Sequence, residues 1–198
     1  MAAHPGWDVG WSTGVPGPNL LVGLDIATQG ASDEQRAMGA VRGYLDLWGV
    51  SVAQLQHLAT VRSQGRTTVR YGMAVVTPLG LASVLDRVLA VTLDHNQQVI
   101  SVSSDLLPVQ VPTTVAVPEG AARKAACQAT QQGRAQAVTD CSRDPAIQSA
   151  RLAIAASPDS ARLVWALDVW VRAPLDRRAV LVDATTGALL SQRPVAQH

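Results

Sequence analysis

The chain has 198 residues, of which 47% are hydrophobic and 16% are charged, and its formal net charge at pH 7 is +1. That length is enough to bury a hydrophobic core in one large domain or two small ones. A net charge so close to zero provides no field that would attract nucleic acid or an anionic membrane surface, so we expect neither partner. Uncharged runs such as residues 71–85 are shorter than the roughly 20 residues of a membrane helix.

Residues 1–30 are rich in Gly and Pro and contain Trp7 and Trp11, which predicts an extended N-terminal arm. The two indoles either dock on a partner or pack against the chain's own fold, and the residues leave both alternatives open. The segment lacks the basic start and the apolar centre of a secretory signal, so we expect an exported protein to have lost its signal already.

The first predicted helix begins at Ser32, because Ser32 and Gln35 have the spacing of a capping box. Gly49 is a typical residue for its end. Apolar residues at helical spacing over residues 52–58 predict a further helical turn or two. The apolar face of the first helix consists of Val41, Tyr44, Leu45 and Trp48.

Runs rich in Val, Thr and Leu, separated by turn residues, predict strands in both halves of the chain. A second helix is predicted after Pro118, a residue favoured at a helix start. Each half therefore predicts a helix laid across an antiparallel sheet, which is an α+β, cystatin-like layout. The strand candidates are residues 67–76, 82–94 and 98–108 in the first half and 147–156 and 161–173 in the second, followed by residues 177–192, in which residues 180–194 predict a strand, a turn and the beginning of another strand.

No catalytic or phosphate-binding motif is present, so we expect no enzymatic activity. The Asp94–His95 pair is better explained by turn chemistry than by acid–base catalysis, since neighbouring side chains on a turn point apart. Asp168 stands in a strand, on a face we expect to be half exposed, and Arg177 with Arg178 predicts a solvated hairpin tip. The histidines are scattered at positions 4, 57, 95 and 198, which disfavours a shared metal site.

Cys127 and Cys141 form no C-x-x-C motif and have no suitably spaced histidine, so zinc ligation and thioredoxin-like chemistry fit poorly. A disulfide or two free thiols remain. The cysteines lie 14 residues apart, and closing a loop of that size stabilises a fold by about 3 kcal/mol in the chain-entropy model. We favour the disulfide, and hence an exported protein.

Three elements in residues 68–108 occur in the order seen in the fungalysin/thermolysin propeptide domain, which this segment resembles. They are a V-R-Y strand at residues 69–71, a V-x-L-D turn at residues 91–94 and a V-x-S-V-x-x-D-L exit at residues 99–106. Residues 118–193, with "PEGAARKAA", "LVWALDV" and "VLVDATTGALL", resemble the PepSY-like second half of such propeptides. The arm "GWSTGVPGPNLLVG" is similar to the leader of fungalysin-type precursors and favours that branch.

The resemblance implies three segments: an arm over residues 1–30, a propeptide-domain half over residues 31–112 and a PepSY-like half over residues 113–198. It further implies a secreted, non-catalytic prosegment that helps a zinc metallopeptidase to fold and blocks its cleft until cleavage. The zinc would belong to that partner, with no cofactor in this chain. A tail that binds the protease is expected at Ser191, Gln192, Arg193, Pro194, Val195, Ala196, Gln197 and His198.

Two alternatives stay open. One is a freestanding exported binding module or protease inhibitor with the same fold, and the other is an enzyme whose site carries no familiar motif. An in-frame H-E-x-x-H sequence downstream of His198 would favour the prosegment, whereas a stop codon would favour the freestanding module.

Overall fold

A computed structural model of the chain has an α+β fold and divides into two compact units. Unit 1 comprises Met1–Val76, Ser83–Gln110 and Ser157–Ser160. Unit 2 comprises Thr77–Ala82, Val111–Ala156 and Ala161–His198. The residues that the structure describes are 7–13, 17–110, 114–131, 147–172 and 175–195.

Unit 1 contains a sheet with the strand order β1-β2-β6-β5-β4-β3. Its β1–β2, β2–β6, β5–β6 and β3–β4 pairs are antiparallel. The helix α1 is continued directly by a 3₁₀ helix, and a second short 3₁₀ turn follows. The elements are β1 (Asp8–Gly10), β2 (Leu20–Ile26), α1 (Asp33–Val41), the 3₁₀ helices Arg42–Trp48 and Val52–Gln54, β3 (Leu55–Ser63), β4 (Arg66–Thr77), β5 (Gly80–Leu93) and β6 (Val99–Ser104).

The predicted start and end of the first helix are confirmed. Ser32 Oγ accepts a hydrogen bond from the Gln35 amide at 3.2 Å, and Gln35 Oε1 accepts one from the Ala31 amide at 3.0 Å. The reciprocal bond of the capping box thus reaches one residue further back than usual. At the other end, Gly49 has φ 64°, the left-handed conformation that glycine adopts without steric cost.

Hydrogen bonds from the acidic start of α1 fix it against β3 and β4. Asp33 pairs with Arg62 at 2.5 Å, and Glu34 Oε1 accepts a hydrogen bond from Thr60 Oγ1 at 2.8 Å. The Thr60 hydroxyl is the largest of the causes that lower the pKa of Glu34 to about 2. Tyr71 Oη donates to the Glu34 carbonyl at 2.7 Å, and burial raises the pKa of Tyr71 to about 12. The helix and the sheet are therefore joined by polar bonds as well as by packing.

The buried side of unit 1 combines one stripe of the helical segment with one face of the sheet. Trp48 is only 1% exposed, and its Nε1 donates to the Pro18 carbonyl at 2.6 Å. The indole thus fills the core and satisfies a buried carbonyl group. The other buried apolar side chains include Ala37, Val41 and Leu45 from the helical segment and Val69, Tyr71, Leu89, Val91 and Val99 from the sheet.

Residues 20–26 are a strand of the sheet rather than part of an extended arm. β2 lies between β1 and β6, and Leu21 and Leu24 are buried. Trp7 packs edge-on against the Tyr44 ring at 5.4 Å between ring centroids, whereas Trp11 is 63% exposed. The described part of this segment therefore folds onto its own unit, with one indole against it and one in solvent.

The helical turns predicted over residues 52–58 are wrong beyond residue 54. β3 begins at Leu55 and pairs with β4, and the register shifts between His57 and Ala59. Leu58 sits in that bulge and is 57% exposed. Pairing with β4 satisfies the backbone groups of this segment, so the tertiary contact overrides a helical spacing that arose by chance.

Unit 2 packs one helix against the sheet β7-β8-β9-β10. The elements are α2 (Glu119–Gln131), β7 (Ile147–Ser157), β8 (Ser160–Arg172), β9 (Leu175–Asp183) and β10 (Leu189–Pro194). The β8–β9 and β9–β10 pairs are antiparallel. The predicted helix and strands are confirmed, with the helix starting one residue after Pro118, whose carbonyl accepts from the Ala121 and Ala122 amides.

The core of unit 2 lies between α2 and the strands. Alanines at positions 122 and 126 allow the helix backbone to approach the sheet closely. Leu167 and Val169, which lie two residues apart in β8 and therefore on the same face, are both buried in this cluster. The cluster consists of Ala122, Ala126, Cys127, Ile147, Leu167, Val169, Val180 and Val182.

Among the described helices, none is both long and apolar enough to cross a membrane.

We expect Trp48→Phe to lower the free energy of unfolding by about 2–4 kcal/mol, because it leaves a cavity and an unsatisfied Pro18 carbonyl. Trp11→Phe is the matched control, since its side chain is mostly in solvent and the change should stay within about 0.5 kcal/mol. Urea unfolding followed by circular dichroism measures both. Equal losses in the two variants would contradict the assigned role of Trp48.

Candidate protein-binding surface at the C-terminal hairpin

The turn between β9 and β10 is organised by the carboxylate of Asp183. Its Oδ1 accepts hydrogen bonds from the Thr185 amide at 2.8 Å and the Thr186 amide at 2.9 Å. Gly187 completes the turn with φ 76°. The Thr186 amide is the largest cause of a lowered pKa for Asp183, helped by the Thr185 amide and opposed by burial. The turn therefore depends on a charged carboxylate.

The same turn also fixes the segment that leads into α2. The Ala184 carbonyl accepts from the Ala116 amide at 3.0 Å and the Val117 amide at 2.9 Å. The Val117 carbonyl in turn accepts from Trp165 Nε1 at 2.9 Å. The hairpin, the start of the helix and β8 are thus held in one arrangement.

The turn between β5 and β6 in unit 1 repeats this design. Asp94 Oδ1 accepts from the Asn96 amide at 2.9 Å and the Gln98 amide at 2.8 Å. Gln97, three residues after Asp94, adopts φ 65°, and the left-handed residue of the other turn, Gly187, lies four residues after Asp183. The prediction that Asp94 is a turn residue is confirmed, and His95 beside it is exposed.

The first residues of the predicted protease-binding tail form a strand. Ser191 pairs with Leu181, and the pairing continues to Pro194 opposite Arg178. The Val195 amide then donates to the Arg177 carbonyl at 2.7 Å. Residues 191–195 are therefore held along β9, while Ala196, Gln197 and His198 lie outside the described residues.

Gln192 connects β10 to the end of α2. With its amide oriented to satisfy both neighbours, the side-chain nitrogen donates to the Ala129 carbonyl at 3.3 Å and the oxygen accepts from Arg178. This predicted site residue is thus already engaged within the unit, and it orients the strand that carries the tail.

The outer edge of β10 forms a candidate docking surface, which we call the β10 edge (residues 189–194). Among the described strands, β10 pairs with β9 alone, so its other edge has no neighbouring strand. Leu189 and Leu190 are 44% and 37% exposed on this strand. An unpaired edge with exposed apolar side chains is suited to adding an extended strand from another protein.

The prediction of a solvated tip at Arg177 and Arg178 is wrong, because both residues lie within β9. Arg177 Nε contacts both carboxylate oxygens of Asp168, at 2.9 and 3.0 Å, and its Nη2 also donates to Asp168. The guanidinium lies 5.8 Å from the centre of the Trp170 ring. The bonds to Asp168 raise the pKa of Arg177. Asp168 is therefore a partner in an ion pair and not an isolated carboxylate.

Cys127 is buried in the core between α2 and the strands, where it is 4% exposed. Cys141 lies outside the described residues, so the predicted disulfide stays a prediction. Within the described ranges, no group of three or more His, Cys, Asp or Glu side chains could hold a metal ion.

Comparison with known proteins gives limited information. No protein-family model matches the chain, and no curated protein matches it. Among solved structures, the Bacillus megaterium YpeB C-terminal domain is similar with a TM-score of 0.44 and 13% sequence identity, covering 91% of this chain and 73% of that chain. These comparisons show neither the family of this chain nor its activity.

We expect the stability of the wild type relative to Asp183→Asn to depend on pH. The pKa of Asp183 is lower in the folded than in the unfolded chain, so its contribution is fully present above the unfolded pKa of about 4 and is lost as the pH falls through the folded pKa. The variant should be less stable by about 1 kcal/mol at pH 7 and should match the wild type once the pH lies below the folded pKa of Asp183.

Urea unfolding between pH 2 and 7 measures this difference, and Asp159→Asn at an exposed turn serves as the control. A difference between wild type and Asp183→Asn that is independent of pH would contradict a charge-dependent turn.

Peptide mapping without reductant should yield a cross-linked pair that contains Cys127 and Cys141 and disappears on reduction. Replacing both cysteines by serine should destabilise the fold by about 3 kcal/mol, because the unfolded chain loses a covalent loop. Full labelling of both thiols by maleimide in denaturant without reductant would exclude the bond.

Proposed function

We propose that this chain is the non-catalytic prosegment of a secreted zinc metallopeptidase, acting as its intramolecular chaperone and inhibitor. The observation that carries the proposal is the ordered set of propeptide-domain motifs over residues 69–106, followed by the PepSY-like sequence "VDATTG" at residues 182–187. In the proposed assignment, the first half is a fungalysin/thermolysin propeptide domain and the second is PepSY-like.

The positions of these motifs in the fold support a scaffold role. The V-R-Y motif lies in β4, where Tyr71 is hydrogen-bonded to the start of α1. The V-x-L-D motif ends at Asp94, and the VDATTG motif contains Asp183. These two residues supply the carboxylates that organise the two hairpin turns. The residues of the resemblance thus build turns and core contacts, as expected for a domain that acts by binding.

Inhibition would proceed through the C-terminal strand and the residues that follow it. β10 holds the chain in an extended conformation up to Val195, and its outer edge has no strand neighbour among the described strands. An extended chain leaving this strand can cross a protease cleft and pair with the cleft edge. The zinc belongs to the partner, and His198 or the residues near it would approach that metal.

The chaperone role follows from the same binding surface. A prefolded sheet that binds the transition state for folding of the catalytic domain lowers that barrier. The surface remains bound to the folded enzyme and inhibits it until the connecting bond is cleaved. Secretion, which we also propose, fits the predicted Cys127–Cys141 disulfide.

The β10 edge also favours a second candidate, a freestanding exported binding module or protease inhibitor. Exposed Leu189 and Leu190 on an unpaired strand can serve a separate partner as well as a covalently linked one. The gene separates the two: an in-frame H-E-x-x-H sequence after residue 198 supports the prosegment, and a stop codon supports the freestanding module.

The proposal predicts that the purified chain inhibits the mature metallopeptidase of the same precursor, tightly and saturably, without itself being turned over. Cleavage of a reporter peptide measures inhibition as the chain is titrated. A chain ending at Val195 should inhibit at least about tenfold more weakly, because it lacks the residues expected to enter the cleft.

A chain with the same three terminal residues replaced by Gly is the length-matched control, since it keeps the extension and removes the side chains. The absence of both inhibition and a complex with the cognate enzyme would overturn the inhibitory role. Peptidase turnover by the isolated chain would overturn its non-catalytic assignment.

A further inference from the structure

Unit 1 contains a groove of about 610 Å³ between the β3–β4 turn, the β5–β6 turn and the start of α1. Its volume lies in the range of small-ligand pockets. The motifs that support the proposed function lie outside its lining, apart from the β5–β6 turn. The lining residues are Asp33, Arg62, Ser63, Gln64, Gly65, Arg66, Thr67, His95 and Gln97.

The charge of this groove is positive. The acidic side chain that lines the groove is that of Asp33. Its carboxylate already forms ion pairs with Arg62 at 2.5 Å and Arg36 at 3.4 Å, so its negative charge is neutralised within the protein. Arg66 makes no ion pair with any described residue and is exposed. The groove therefore offers one guanidinium held in place by Asp33 and a second that is uncompensated.

Two glutamines with an unfavourable backbone conformation also line the groove. Gln64 has φ 52° and Gln97 has φ 65°, and they are two of the three non-glycine residues with positive φ in the described ranges. Glycine adopts this conformation without steric cost, whereas a residue with a Cβ does not. Gln64 forms a two-residue hairpin turn with Gly65, whose φ is 74°, and such a turn requires positive φ, so the Cβ of Gln64 is placed in a conformation that glycine adopts more easily.

The guanidinium groups of Arg62 and Arg66 present hydrogen-bond donors to the groove and have no acceptor capacity. The lining thus favours a ligand with several acceptor oxygens and negative charge.

We propose that this groove binds a carboxylate-bearing ligand, either a small polycarboxylate or an acidic peptide segment. The guanidinium of Arg66 takes a carboxylate through paired N–H donors, a geometry that arginine matches well. Arg62 supplies a second positive charge beside it. This site is independent of the β10 edge and of the proposed function.

The test is a titration of the full chain with citrate and, separately, with a capped Glu-Asp-Glu peptide, followed by amide NMR shifts. Saturable shifts are expected at the two turns that line the groove. Arg66→Gln should weaken binding at least about fivefold. Arg70→Gln is the matched control, because Arg70 is exposed four residues further along β4 and does not line the groove, and it should change affinity by less than about twofold.

Tighter binding of the peptide would identify the acidic segment of a protein as the source of the carboxylate, and tighter binding of citrate would identify a small molecule. Absence of saturable shifts with both probes in about 0.1 M salt would overturn the site. Equal weakening by Arg66→Gln and Arg70→Gln would also overturn it, since the attraction would then come from general surface charge. Unchanged amide spectra of the free variants confirm that both are folded.

Discussion

The burial of one face of an antiparallel sheet under a single helical segment is the constraint on which both units depend. In unit 2, α2 meets this requirement with small residues, and Ala122 and Ala126 let its backbone lie close to Val180 and Val182. In unit 1, α1 ends at Val41, and its continuation as a 3₁₀ helix brings Leu45 and Trp48 to the buried side. Hydrophobic burial on one face leaves the other face of each sheet available for polar side chains and ion pairs.

The helix-on-sheet arrangement also needs turns that hold their shape without a hydrophobic core of their own. The β5–β6 turn and the β9–β10 turn are stabilised in the same way, since Asp94 and Asp183 each use one carboxylate oxygen to accept hydrogen bonds from two backbone amides. Gln97 and Gly187 then supply the left-handed residue. The difference between these two residues is informative. Gly187 meets the conformational need at no steric cost, whereas Gln97 accepts strain and places a carboxamide in the groove.

The α+β layout and the strands β4 to β10 could be predicted from the sequence, because Val- and Thr-rich runs between turn residues are strong local signals. β2 could not, since Gly23 interrupts it and its stability comes from pairing with β6. β3 was missed because Leu55 and Leu58 have helical spacing, although Leu58 occupies a bulge. The Asp168–Arg177 pair joins neighbouring strands diagonally across their register, so no local pattern in either strand reveals it.

The strand of the candidate docking surface was predictable, but where the strand ends and the tail begins was not, because an extended tail and an edge strand have the same sequence pattern. Pairing of residues 191–194 with β9, and the Val195 amide bond to Arg177, make the difference. This matters for the proposed inhibition. A tail that is free from residue 191 would lose conformational entropy over its whole length on entering a cleft, whereas one held in a strand to Val195 has already lost it during folding. The sheet of unit 2 would thus lower the entropic cost of binding and direct the following residues toward the enzyme.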